Sequence, residues 1–264
     1  MIDMIEHTFD TGTISINYAE GPASGHPLVF LHGGSARWQS FNSIIPDFTA
    51  RWHLFALDLR GHGKSSRAPG RYRLQDHAND VITFLHHRLD EPAVIVGHSL
   101  GGMIALLVAA QSPVSVRAVV VGDSPLSFET WRTVIDDQRD KLKLWRNMAG
   151  GLRSLDEIAR VIADAPAINI FQSDPETLTA LLDDFDNIAS GYEMESVMPS
   201  IECPVLLLQA DPAVGGSMTD VEVKRAQSLL LQASHEQLSG VSHVLHNERK
   251  EPVAEAITTF LSSL

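Results

Sequence analysis

Residues Val94-Ile95-Val96-Gly97-His98-Ser99-Leu100-Gly101-Gly102 lead without a break into the apolar stretch Met103 to Ala110. A β-branched run reads as a buried strand, and the long apolar continuation reads as a buried helix. The chain must therefore turn from strand to helix around Ser99. Small residues two before and two after the serine let the two elements approach closely, and the turn itself holds the serine in a strained conformation with its hydroxyl exposed. This strand-turn-helix setting of G-x-S-x-G reads as a nucleophile elbow. The alternative is that Ser99 only caps the helix.

The rest of the chain repeats the same units. Leu28 to Leu31, Leu54 to Leu57, Ala93 to Val96 and Ala118 to Val121 are almost continuously apolar, as expected of strands covered on both faces. Residues 13–18 alternate instead, with Ile14, Ile16 and Tyr18 on one side, and follow a hairpin turn at Thr11-Gly12. Leu74, Ala78, Val81, Ile82, Leu85 and Leu89 have helical spacing. Val205 to Leu208 reads as a further strand, and Val253, Ile257, Phe260 and Leu261 as the inner stripe of a last helix. Alternation of this kind predicts an open, mostly parallel α/β sheet with binding crevices at the carboxyl ends of its strands.

Residues 124–199 break the rhythm. Ser154 with Glu157 forms a capping box, and Asp174-Pro175 reads as an N-cap with the first helical residue. The expected division is a core of residues 1–123 and 200–264 with a helical cap, 124–199, over the crevice. Trp131, Trp145, Phe171, Phe185, Met194 and Met198 either line its underside or hold its helices together, and Trp131 and Trp145 are the candidate substrate-binding residues.

Composition removes several functions. Lys and Arg number 20 against 33 Asp and Glu, a formal charge of −13, and no basic block stands out, which argues against nucleic acid and against an anionic membrane surface. The single cysteine, Cys203, cannot form an internal disulfide or a thiolate metal site, which suits a reducing compartment. The opening residues have neither a basic start nor an apolar run, and no stretch of about 18 apolar residues occurs. The expectation is a soluble, unprocessed, cytoplasmic protein.

A serine hydroxyl needs a base to take its proton. Of 12 histidines, His243 is placed best, in a loop after the last expected strand and before the C-terminal helix, with His246 as a nearby competitor. His62 and His98 lie in motifs explained by their neighbours. The carboxylate that orients the imidazole is expected at a strand end, either Asp211 or Asp123; the reading favours Asp211 and keeps Asp123 as the alternative. Two backbone donors for an oxyanion are assigned to Leu100, just after the serine, and to Gly34 in the glycine turn His32-Gly33-Gly34-Ser35. No H-E-x-x-H or H-x-H spacing is present, so no metal is expected.

His32-Gly33-Gly34, Asp58-Leu59-Arg60-Gly61-His62-Gly63-Lys64-Ser65, Gly97 to Gly102 and Gly240 to His243 follow one another as in the α/β-hydrolase fold superfamily, which the chain resembles along nearly its whole length. The resemblance implies an eight-stranded core, a cap after the sixth strand and a cofactor-free Ser-His-acid triad. It agrees with Gly34 and Leu100 as oxyanion donors, and it makes Asp58, Arg60 and His62 scaffold. One departure bears on the acid: relatives commonly use the second aspartate of G-D-x-D after the seventh strand, where this chain has Ala213. The resemblance leaves Asp211 in a shifted loop, or Asp123 at the end of strand six, for that part. The implied activity is cleavage of a small carboxylic ester or lactone through an acyl-enzyme on Ser99. Carbon–carbon bond hydrolysis of the meta-cleavage type, perhydrolase activity with the same triad, and a ligand-binding receptor on the same fold are the rivals.

Overall fold

A computed structural model of the chain describes residues 4–163 and 165–264. Residues 1–3 of the expected core and residue 164 of the expected cap lie outside the described residues. The strands β1 (Ile5–Asp10), β2 (Ser15–Glu20), β3 (His26–Leu31), β4 (Trp52–Leu57), β5 (Ala93–His98), β6 (Val116–Gly122), β7 (Val205–Ala210) and β8 (Ala233–Leu238) form one sheet. Their spatial order is β1-β2-β4-β3-β5-β6-β7-β8. β2 runs antiparallel to both its neighbours, and all later pairings are parallel.

The apolar runs become the central strands because both of their faces are covered. Val29, Leu31, Phe55, Leu57 and Ile95 pack on one side with α1 (Leu74–Arg88) and α2 (Leu100–Gln111). Leu28, Phe30, Leu54, Val94 and Val96 pack on the other with the C-terminal helix. α2 is buried from Gly101 to Ala109, which explains why its sequence has no polar face.

Three elements escape the patterning. β1 is largely exposed and pairs only with β2. β8, with the sequence Ala233-Ser234-His235-Glu236-Gln237-Leu238, is mostly exposed because it is an edge strand with a single neighbour. A helix over Asp220–Leu229, capped by Thr219 and Glu222, also follows β7.

Among the described residues, the elements between β6 and β7 are all helical: α3 (Phe128–Asp137), α4 (Arg139–Met148), α5 (Leu155–Val161), α6 (Ala167–Gln172), α7 (Pro175–Asp183), α8 (Phe185–Ala189) and α9 (Met194–Val197), with a 3₁₀ turn at Met198–Ser200. Both N-terminal signals read from the sequence are formed, Ser154 with Glu157 on α5 and Asp174 on α7. Asp174 also ties this segment to the sheet side, since its N–H donates to the Gly61 carbonyl (2.7 Å) and its carboxylate accepts the Tyr72 hydroxyl (2.5 Å). The chain closes with α10 (Asp220–Leu229), α11 (Leu245–Glu248) and α12 (Lys250–Leu261). No helix among the described residues is long and apolar enough to cross a membrane.

Candidate active site

Ser99 sits between β5 and α2 at φ 52°, ψ −118°, a conformation that non-glycine residues rarely adopt. The turn is held by Ser99 N–H donating to the Gly122 carbonyl (2.9 Å) and by Gly102 N–H donating to Ser99 (3.0 Å). A Cβ on Gly97 would lie 2.2 Å from the Gly101 oxygen, and one on Gly101 would lie 2.1 Å from the Leu31 oxygen. The glycines at the elbow are therefore set by backbone contact. Ser35 (φ 54°) and Asp123 (φ 40°) are the other described non-glycine residues with positive φ. All three lie at carboxyl ends of strands, where strain is tolerated because the packed sheet over-determines the loops.

The imidazole of His243 bridges two of them. Its Nε2 lies 3.1 Å from Ser99 Oγ, and its Nδ1 lies 2.7 Å from Asp123 Oδ2. Asp123 has no exposed surface, and its carboxylate also accepts the N–H groups of Ala210 (3.1 Å), Ser217 (2.8 Å) and Met218 (3.2 Å). The four donors satisfy the buried carboxylate, and an acceptor at that place selects the His243 tautomer that carries its hydrogen on Nδ1. The Ser217 hydroxyl adds a second oxygen 3.0 Å from Nδ1.

Asp211 does not meet the imidazole, contrary to the favoured sequence reading. Its carboxylate accepts Gly240 N–H (2.8 Å) and Ala213 N–H (2.9 Å), and its own N–H donates to the Val241 carbonyl (2.8 Å). Those amides, Gly240 first, hold its pKa below the usual carboxylate value. Asp211 thus braces the loop that delivers His243 and leaves the orienting position to Asp123. His246, the competing base, is buried, stacks on Phe41 at 4.8 Å and makes no bond to Ser99. Burial, then the neighbouring His243, lowers its pKa to about 4, so it is neutral near pH 7.

His98, beside the nucleophile, has its Nε2 2.8 Å from the His243 carbonyl, and its ring lies 4.8 Å from the rings of both His243 and His246. Burial first, then those two histidines, holds it well below the ordinary histidine pKa. A neutral ring must put its hydrogen on Nε2 to meet a carbonyl, so His98 donates and fixes the base's backbone.

The loop after β3 lies against the elbow: a Cβ on Gly33 would come 3.2 Å from Ser99 Cβ. Ser35 N–H donates to His62 Nε2 (3.1 Å), Ala36 N–H to the Gly33 carbonyl (3.3 Å) and Trp38 N–H to Asp58 Oδ1 (2.8 Å). His32 Nε2 accepts Leu59 N–H (3.0 Å), and Arg60 forks onto Asp80 at 2.7 and 2.8 Å. Asp58, Arg60 and His62 are therefore scaffold for this loop. Among the described residues the N–H groups of Gly34 and Leu100 have no acceptor, and both residues line the same cavity as Ser99 and His243.

That cavity measures about 450 Å³, room for a small organic ligand. Trp131 and Trp145 line it, whereas Phe171, Phe185, Met194 and Met198 do not. Phe185 packs on Trp131 and Phe128 instead, at 4.9 and 5.1 Å, and Met198 is fully buried. Arg37, Gln39, Ser40, His77 and Asn169 also line the cavity and were not singled out by the sequence. For Arg37 and its neighbours the available signal was their nearness to Gly34. No group of three or more His, Cys, Asp or Glu among the described residues could hold a metal ion.

A family model described as alpha/beta hydrolase fold matches residues 26–164, over half of the chain. The chain belongs to the α/β-hydrolase fold family. Over 95 residues it is 43% identical to the magnesium-chelatase 30 kDa subunit of Rhodobacter capsulatus, covering 36% of this chain and 34% of that protein. Over 126 residues it is 32% identical to 2-(acetamidomethylene)succinate hydrolase of Mesorhizobium japonicum, covering 48% and 45%. These matches span less than half the length of either relative. Among solved structures, a putative lipase from Acinetobacter baumannii superposes with a TM-score of 0.80 at 22% identity, over 98% of this chain and 91% of that one. Within the family frame, this chain has its buried, imidazole-bonded acid at the end of β6.

Proposed function

We propose that the protein is a cofactor-free serine hydrolase that cleaves a small carboxylic ester or lactone. One observation carries the reading: His243 lies within hydrogen-bond reach of Ser99 Oγ on one nitrogen and of the buried Asp123 carboxylate on the other, at the wall of the cavity. The similarity to a named hydrolase over part of the chain agrees with it.

In this mechanism Ser99 Oγ attacks the substrate carbonyl carbon while its proton passes to His243 Nε2. The carbonyl oxygen becomes an oxyanion, held by the N–H groups of Gly34 and Leu100. Collapse breaks the carbon–oxygen bond, and the leaving alkoxide takes the proton from Nε2. Water then gives a proton to Nε2 as its oxygen attacks the acyl-serine. The second collapse releases the carboxylic acid and returns the proton to Ser99. The Asp123 carboxylate orients His243 and stabilises the transient imidazolium. Trp131 and Trp145 supply apolar wall for the organic part of the substrate.

A fluorophosphonate probe tests this reading directly. Stoichiometric labelling that disappears in Ser99→Ala, together with turnover of short 4-nitrophenyl esters or lactones, is the expected result. A folded protein that neither labels nor cleaves any of them overturns the hydrolase reading and leaves a ligand-binding role for the cavity.

A further inference from the structure

We propose that Arg37 binds a carboxylate on the substrate, so that the ester or lactone cleaved here carries a free acid group; this rests on the hydrolase reading above. The cavity's charge is the first ground. The chain carries 33 Asp and Glu and a net charge of −13, yet none of the described cavity-lining residues is Asp or Glu, and the two ionic side chains in the wall, Arg37 and Lys141, are both cations. Exposed charges further than about 8 Å are largely screened at physiological salt, so the guanidinium of Arg37 in the wall, rather than the acidic exterior, bears on a bound ligand's charge.

The state of the guanidinium is the second ground. Arg37 lies three residues beyond Gly34, on a backbone clamped at Ser35 by His62 and at Trp38 by Asp58. Its Nε–H donates to Asn169 Oδ1 (3.0 Å) on α6, and Asn169 is only 8% exposed. Among the described residues no carboxylate lies within 4.0 Å of Arg37, and no acceptor takes the hydrogens on Nη1 and Nη2. Buried Arg60, by contrast, is matched on both sides by Asp80. One bond thus orients Arg37 while its two terminal nitrogens stay open, and a planar pair of that kind matches the two oxygens of a carboxylate.

The third ground is a nearby hydroxyl. Ser40 Oγ is buried without a partner and belongs to the same wall. A buried hydroxyl left unpaired is unfavourable, and a ligand acid can accept its hydrogen.

The test compares two esters with the same leaving group, mono-4-nitrophenyl glutarate and 4-nitrophenyl butyrate. The wild-type protein is expected to favour the acid by about 10- to 100-fold in kcat/KM, the range of a charge-assisted hydrogen bond. Arg37→Met is expected to collapse that ratio towards one, and Arg37→Lys to restore part of it. Equal turnover of the two esters by the wild type, or a ratio that survives Arg37→Met, overturns the proposal. The subsite is also read without chemistry, by calorimetric binding of monomethyl and dimethyl glutarate to Ser99→Ala. Tighter binding of the monoacid, lost in Ser99→Ala/Arg37→Met, supports the proposal; equal binding, or none, overturns it. Fluorophosphonate labelling of the wild type separates the two layers. Intact labelling without acid preference defeats only the carboxylate subsite, whereas absence of labelling and of turnover defeats the hydrolase reading beneath it.

Discussion

Asp123 Oδ2 lies 2.7 Å from His243 Nδ1, and no part of Asp123 reaches the surface. If Asp123 holds the productive tautomer, Asp123→Asn is expected to lower kcat on a 4-nitrophenyl ester by about 10³- to 10⁴-fold while leaving the fold intact. Asp211→Asn is expected to weaken the brace on the Gly240–His243 loop and to cost less than about 10-fold, because the bonds it perturbs are one step removed from the imidazole. Steady-state kinetics on both variants decides between them. Full activity in Asp123→Asn, with loss confined to Asp211→Asn, returns the acid to Asp211.

The ambiguity between these aspartates has a physical origin. β6 and β7 are adjacent and parallel, so residues just past their carboxyl ends occupy neighbouring positions on one rim. Periodicity places both there but does not give the direction of a side chain in the loop that follows. The core strands and the elbow were legible because continuous apolar runs and close-packed glycines leave few alternatives. β8 was not, since a half-exposed edge strand needs no apolar pattern. Arg37 was hidden for another reason: what sets it apart is a hydrogen bond to Asn169, 132 positions away.

His98 is a positioning residue in this scheme. Its Nε2–H holds the carbonyl of His243, and its ring fills the space between His243 and His246. His98→Leu keeps apolar volume but removes the donor, and it is expected to lower kcat by about 10- to 100-fold with a smaller change in KM, as expected when a base is misplaced. His98→Gln, which can donate to the same carbonyl, is expected to recover part of the loss. Stopped-flow acylation with a chromogenic ester measures both. Equal damage from Leu and Gln, or damage expressed only in KM, contradicts the positioning role.

The elbow glycines invite a stability comparison. A Cβ on Gly102 would stand 2.0 Å from Ser124 Oγ, and one on Gly97 would meet the Gly101 backbone, whereas one on Gly34 has nothing within 4 Å. Gly97→Ala is expected to destabilise by about 1–3 kcal/mol or more, since backbone on backbone has no rotamer by which to escape. Gly34→Ala is expected to stay within about 0.5 kcal/mol of the parent. Urea denaturation read by tryptophan fluorescence provides both values, and equal midpoints for the two variants contradict the packing account.

Buried neutral histidines should make the fold acid-sensitive well above the pH at which ordinary carboxylates titrate. Burial lowers the pKa of His246 to about 4 and of His32 to about 3, and it lowers His77 and His98 well below their ordinary value of 6.5. The unfolded chain therefore takes up these protons first as pH falls. Their contribution is complete above pH 6.5 and declines as pH drops from there towards the folded values, by up to about 1.4 kcal/mol per pH unit for each group. Asp58 and Asp80 work in the opposite sense nearer pH 4, because burial raises their pKa above 3.8 and the folded state then binds the extra proton. The clearest window is thus about pH 6.5 to 5.5. Unfolding free energies at about pH 7.5, 6.5 and 5.5 are expected to fall across that window in the parent and to fall less steeply in His246→Gln, by about one bound proton. The comparison concerns the slope, so packing lost around Phe41 does not disturb it. An unchanged slope in His246→Gln, or stability that rises on acidification, is incompatible with a neutral imidazole at that position.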